Sequence, residues 1–264
     1  CSSLDRADDQ GYGLLLRGTH AMPVSRRDTS LRLLLGGEAE GISEHFRFVE
    51  RYRPVEFERN WNVQGLSLAK DQVLASAQVG IEGRRIGKLM YGFGTFQARG
   101  LYSGLKHDLN SDLRIKRFEL KGTGSWLRAD ASRQSEFLRN KAQARYRFKP
   151  LSIGMNSENE RNHFRVDSLN GLQAGSYAFE DIEGFVQAAD SAATKWRVSA
   201  GQRVDHALRA GALHVSTTAN AYSAGVELTK NPRNRFSMNL TYRALRINDS
   251  TLTAQKPQDT YLAR

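Results

Sequence analysis

Apolar and polar residues alternate along most of this chain. Between positions 141 and 149, Lys141, Gln143, Arg145, Arg147 and Lys149 fall on one parity, and Ala142, Ala144, Tyr146 and Phe148 on the other. Successive strand side chains point to opposite faces, so the segment reads as a strand with one basic and one apolar face. The same rule places Phe236, Met238, Leu240, Tyr242 and Ala244 opposite Ser237, Asn239, Thr241 and Arg243. It recurs at Tyr222, Ala224, Val226 and Leu228, and at Trp196, Val198 and Ala200. Phe118, Leu120, Gly122, Gly124 and Trp126 follow it too, opposite Arg117, Glu119, Lys121, Thr123 and Ser125. No sustained apolar repeat of helical period with caps is present.

Turn-forming clusters separate these runs: Glu82-Gly83, Asp108 to Asp112, Asp130-Ala131-Ser132, Lys149-Pro150, Asn170-Gly171, Asp190-Ser191 and Lys230 to Asn234. They hold the Gly, Pro, Asn, Asp and Ser residues that tolerate turn dihedrals. From about residue 110 to 190 they recur roughly every 20 residues, which predicts strands of about a dozen residues, long against a usual mode of about 5–6. The fold class is therefore all-β. Residues 45–264 read as an antiparallel meander of roughly ten to twelve long strands, forming an outer-membrane β-barrel or a barrel-like twisted sheet. Residues 1–44 read as a loop-rich segment with short strands near Gly11–Gly18 and Leu31–Leu35.

Two arrangements satisfy this pattern. A soluble sandwich turns its apolar faces toward each other, whereas a membrane barrel turns them to lipid. Here the apolar parity is rich in Ala, Gly, Tyr, Phe, Leu and Trp, and the small residues are poor core fillers. Tyr146, Phe148, Trp126 and Trp196 then read either as interfacial aromatic girdles or as plain core.

Composition narrows the classes. The chain has 264 residues, 39% hydrophobic and 25% charged, enough to bury a core and too apolar for full disorder. Its longest apolar runs are triplets such as Leu14-Leu15-Leu16, too short for a transmembrane helix. A single cysteine rules out a disulfide scaffold and multi-cysteine metal sites. The formal charge of +11 fits nucleic acid, an anionic membrane surface or acidic polysaccharide. The basic residues are spread at alternating positions, which points to a sheet face rather than a binding arm. Cys1-Ser2-Ser3, followed by Asp5, Asp8 and Asp9, reads either as the lipid-modified start of a mature lipoprotein or as an internal cut. The apolar Thr260-Tyr261-Leu262-Ala263 near the other end favours a fragment.

Catalytic signals are absent from the sequence. The six histidines form no HExxH and no close ligand spacing. Asp205-His206 reads as a solvated turn and His163 as part of a charged hairpin end. Ala221-Tyr222-Ser223-Ala224-Gly225 lies inside an alternating strand, unlike a nucleophile elbow. Gly92-Phe93-Gly94 and Gly122-Thr123-Gly124 precede no helix and mark bends or bulges. The pairs Glu158/Glu160 and Asp181/Glu183 each share a face, where cross-strand pairing with Arg and Lys is the expected role. Lys141, Arg145, Arg147 and Lys149 form a basic face suited to anions. No aromatic residue interleaves with them on that face, so neither a base-stacking platform nor a nucleic-acid partner is expected.

The stretch Arg53-Pro54-Val55-Glu56-Phe57-Glu58-Arg59-Asn60-Trp61-Asn62 resembles a segment of large outer-membrane or cell-surface β-rich proteins of Bacteroidota, in which Phe-x-Arg-x-Trp-Asn precedes a long β-meander. Asn248 to Thr253 with Pro257, and Ser176-Tyr177-Ala178-Phe179, fit the same resemblance, which spans the chain from about residue 45 on. Such proteins are far longer than this chain, and the strongly basic balance departs from their pattern. Asp249-Ser250-Thr251, Asp167-Ser168-Leu169 and Asp190-Ser191-Ala192 match the short O-glycosylation pattern of that phylum. The resemblance implies a structural or transport role in a Gram-negative outer membrane or cell surface, without catalysis and without a cofactor. Outer-membrane lipid or lipopolysaccharide, with an envelope protein beside it, is the partner class. The alternative is a soluble periplasmic or surface module binding a protein, glycan or other anionic partner.

Overall fold

The structure, a computed structural model, describes residues 11–24, 30–46, 56–63, 66, 70–166, 171–188, 194–231, 234–248 and 258–263. The three O-glycosylation patterns and Asp190-Ser191 lie outside these residues. The strands are β1 (Gly13–Pro23), β2 (Leu31–Ile42), β3 (Gln72–Gly83), β4 (Gly87–Ala98), β5 (Tyr102–Ile115), β6 (Phe118–Asp130) and β7 (Gln134–Arg147). They continue as β8 (Leu151–Arg165), β9 (Tyr177–Ala188), β10 (Thr194–Arg209), β11 (Ala212–Asn231), β12 (Asn234–Ile247) and β13 (Gln258–Ala263). One helical turn, α1 (Glu56–Asn60), lies between β2 and β3.

All 13 strands form one sheet in sequential order, each antiparallel to its neighbours, with β1 and β13 at its edges. This is the all-β meander of long strands that alternation predicts. The sheet begins earlier than expected. β1 and β2 are 11 and 12 residues long and pair in register over the whole of β1, so the N-terminal segment belongs to the same sheet. The Leu14-Leu15-Leu16 run and the glycines of β2 obscure the period-two signal there.

Two expected turns are strand interior. Asp108 to Asp112 lies inside β5, where Asp108, Asn110 and Asp112 share a face with Lys106 and alternate with Leu109 and Leu113. Alternation outweighs turn-type composition because these short polar residues occupy the polar face. Asp205-His206 sits within β10 at a β-bulge against β11, not at a turn.

Register carries the two-face pattern across the sheet. On one face Ile115, Phe118, Tyr146, Ile153, Val186, Val198, Ala224 and Leu240 are successive cross-strand partners, from β5 to β12. One residue along, Arg114, Glu119, Arg145, Gly154, Phe185, Ser199, Ser223 and Thr241 form the matching row of the opposite face. A one-residue slip in any pair would exchange the two faces.

The two ends of the strands differ. At one rim the connections are short: 84–86, 116–117 and 148–150 join β3 to β4, β5 to β6 and β7 to β8. At the other rim 99–101, 131–133 and 210–211 are as short, and the long connections 43–71 and 166–176 follow β2 and β8. Among the described residues no helix is long and apolar enough to cross a membrane, which leaves the strands themselves untested.

Gly87 opens β4 with φ +89°, a left-handed conformation in which an added Cβ would collide with the Asp112 carbonyl. Gly18, on β1, has open space where its Cβ would be. Gly87→Ala should therefore lower stability by more than about 1 kcal/mol, while Gly18→Ala should stay within about 0.5 kcal/mol of the parent. Urea midpoints of the folded chain in detergent measure both; equal midpoints would contradict the strained turn.

Candidate functional site

Burial is inverted in this sheet. Leu240 is 48% exposed, Met155 49% and Tyr222 52%, whereas Glu119 and Glu160 are buried. Carboxylates are rarely buried without partners, so each needs an explanation. Both lie on the polar face, where the register delivers cations to them.

Glu119 stands near the short-connection rim. Arg145 Nε donates to its Oε2 at 2.8 Å, and Arg147 donates to its Oε1. Arg114 Nε lies 3.7 Å from the same Oε1. One carboxylate thus serves three guanidiniums, from β5 and β7 on either side of β6. Glu160, on β8, accepts from Arg139 Nε at 2.7 Å and from the Tyr177 hydroxyl. Arg59 Nη2 reaches it at 3.5 Å. The buried Arg139 Nη2 has no partner among the described residues, leaving a donor open beside this cluster. Around both carboxylates positive charge is in excess.

Between the clusters the pairing is closer to one-to-one. Lys141 Nζ lies 3.2 Å from Glu158 Oε2, and Lys121 Nζ lies 3.7 Å from Asp112 Oδ2. Arg197 Nη2 donates to Glu183 Oε2 at 3.0 Å, while Gln143 donates to Asn156 and Asn156 to Glu183. Three of the four basic residues singled out in the sequence therefore share the polar face, each beside a carboxylate. The fourth does not join them. β7 ends at Arg147, and Lys149 sits exposed in the following connection. The Phe148 N–H bonds the Leu151 carbonyl there, and Pro150 brings no N–H to a ladder.

The long excursion after β2 folds back onto this polar face. α1 carries Glu56 and Glu58 in its first turn and Arg59 in its last, matching the helix dipole. It stops at Asn62, whose φ of 54° is the left-handed cap that asparagine tolerates. Phe57 and Trp61, four residues apart, share a side of the turn. Both pack against Phe96 of β4, with ring centroids 5.2 and 5.6 Å away. Val63, Ala98, Tyr102, Leu127, Ala129 and Phe137 complete this buried hydrophobic cluster. The Tyr102 hydroxyl donates to the Trp61 carbonyl. Asn62 and Asn162 exchange amide hydrogen bonds at 3.3 and 3.4 Å. A cavity of about 700 Å³ opens beside this anchor, lined by Arg59, Asn62, Tyr102, Phe137, Asn162 and Tyr177.

Sequence reading missed Glu119, Glu160, Arg139 and Tyr177 as a group. Their pairing depends on register between strands, which no local pattern displays. Phe57, Arg59, Trp61 and Asn62 were singled out only through the resemblance. The spacing of Phe57 and Trp61 by four was the available local signal.

Catalytic constellations are not assembled. No group of three or more His, Cys, Asp or Glu able to hold a metal occurs among the described residues. His107 faces the apolar side, its Nδ1 2.6 Å from the Tyr91 hydroxyl and its ring between Phe93 and Trp126. Compared with protein-family models, curated proteins and solved structures, the chain matches none. The arrangement itself is therefore the ground for a functional reading.

Trp61→Ala should release the folded-back segment while leaving the sheet intact, at a local cost of about 3–5 kcal/mol. Trypsin should then cut after Arg59 at least tenfold faster than in the parent, with unchanged β-sheet circular dichroism. An unchanged cutting rate would contradict the anchor.

Proposed function

We propose that this chain is the sheet of a β-barrel in a Gram-negative outer membrane, non-catalytic, with its apolar face to lipid and its polar face lining an aqueous path that favours anions. The observation that carries the reading is the exposed apolar face, continuous through the register from Ile115 to Leu240. Apolar patches on water-exposed monomers rarely exceed a few hundred Å², and this row alone crosses eight strands. A bilayer supplies the missing apolar contact and requires long strands whose backbone groups are paired. The two longest connections, after β2 and β8, share one rim, as the longer loops of such barrels do.

Anion preference rests on the two guanidinium-rich clusters. A solute passing along the polar face meets surplus positive charge at Glu119 and again at Glu160, with paired charges between. The folded-back α1 narrows the path at the second cluster. The kinship with Bacteroidota envelope proteins rests on Phe57 to Asn62, whose residues make the anchor.

Two measurements test the reading. On the apolar face, Leu240→Arg should cost about 2–4 kcal/mol at mid-bilayer, whereas Thr241→Arg on the polar face should cost less than about 1 kcal/mol; equal costs would remove the lipid-facing assignment. For the path, Arg114→Gln with Arg147→Gln leaves Glu119 paired to Arg145 alone. Reversal potentials of the reconstituted full-length protein across a salt gradient should shift toward equal anion and cation permeability. An unchanged potential would contradict a path lined by these residues.

A further inference from the structure

The short-connection rim sets exposed cations directly beside an apolar belt. At the short-connection rim, Arg84 and Arg85 occupy the turn after β3, Lys116 and Arg117 the turn after β5, and Lys149 the connection after β7. All five are exposed, and no carboxylate pairs with them among the described residues. At the opposite rim Lys70 lies 3.3 Å from Glu44 and Arg99 3.4 Å from Asp71, while exposed Arg133 bonds the Ala174 carbonyl and Arg128, Arg161 and Arg165 have no carboxylate partner among the described residues.

Geometry makes the five act together. Consecutive turns at one rim lie roughly two strand spacings, about 10 Å, apart, comparable to the Debye length at physiological salt. The adjoining part of the apolar face is a belt of Ile115, Phe118, Tyr146 and Phe148, all exposed, with the Tyr146 and Phe148 rings 4.9 Å apart. Lys149 directly follows Phe148, and Lys116-Arg117 separates Ile115 from Phe118. Cations thus stand at the end of an aromatic and aliphatic belt, the order of groups met on passing from hydrocarbon to headgroups.

We infer that the short-connection rim is a docking collar for the phosphate-bearing headgroups of an anionic bilayer leaflet. The inference rests on the lipid-facing reading of the apolar face and adds the lipid class and the rim that meets it.

The test follows entry of the full-length chain from detergent into vesicles of phosphatidylcholine alone, or with about 30% phosphatidylglycerol, scored by flotation after an alkaline carbonate wash. At 50 mM salt the parent should enter the anionic vesicles at least about tenfold faster, given the attraction each basic residue feels near an anionic surface. The preference should vanish at 500 mM salt. It should also vanish in the variant carrying Arg84→Gln, Arg85→Gln, Lys116→Gln and Arg117→Gln. It should persist in a charge control at the other end of the strands, Arg128→Gln with Arg161→Gln and Arg165→Gln. Entry without any anionic preference, or a preference that survives the fourfold variant, overturns the collar and leaves the lipid-facing face standing. Failure to float with either composition overturns both.

Discussion

Everything in this molecule depends on period-two alternation held in register through a 13-stranded antiparallel sheet. A strand can separate two environments only if each residue keeps its parity, and a sheet can do so only if every neighbour agrees. The row from Ile115 to Leu240 and the row from Arg114 to Thr241 run side by side through the same eight strands. With no second layer on the apolar face among the described residues, stabilisation comes from backbone ladders, the polar-face network and the α1 anchor. Under the proposed function lipid supplies the rest.

The polar face is an ion-pair lattice rather than a basic strip. On the polar face of β7 every charged residue is basic (Arg139, Lys141, Arg145 and Arg147), and the strands beside it answer with Glu119, Glu158 and Glu160. Buried carboxylates are costly to desolvate, and only dense hydrogen bonding offsets that cost. Glu160 has it, from Arg139 and Tyr177, and Arg59 ties the same group to the folded-back segment. One residue therefore links the sheet's electrostatics to the element that covers it. Positive charge is in excess at the two clusters, and exposed cations stand at the short-connection rim.

Much of the fold was legible because alternation is a local signal. The faces of β6, β7, β11 and β12 can be read residue by residue from the sequence. Composition misled where polar residues that favour turns served the polar face instead, as at Asp108, Asn110 and Asp112. The site was less legible. Arg145 and Arg147 stand out on their own strand, but Glu119 lies 26 residues from Arg145 in sequence, and only register brings them together. α1 was hidden for another reason: a helical turn this short leaves little periodicity, and its placement depends on Phe57 and Trp61 finding Phe96.

Under the proposed function the two faces of each strand meet different environments. Single-cysteine variants at positions 236 to 243 of β12, each with Cys1→Ser and a fluorescent label, test it most directly. Quenching is measured in vesicles with a lipid-dissolved quencher and with an aqueous one. Strict alternation is expected: labels at 236, 238, 240 and 242 quenched from the lipid, and those at 237, 239, 241 and 243 from water. Uniform aqueous quenching along the strand would contradict it.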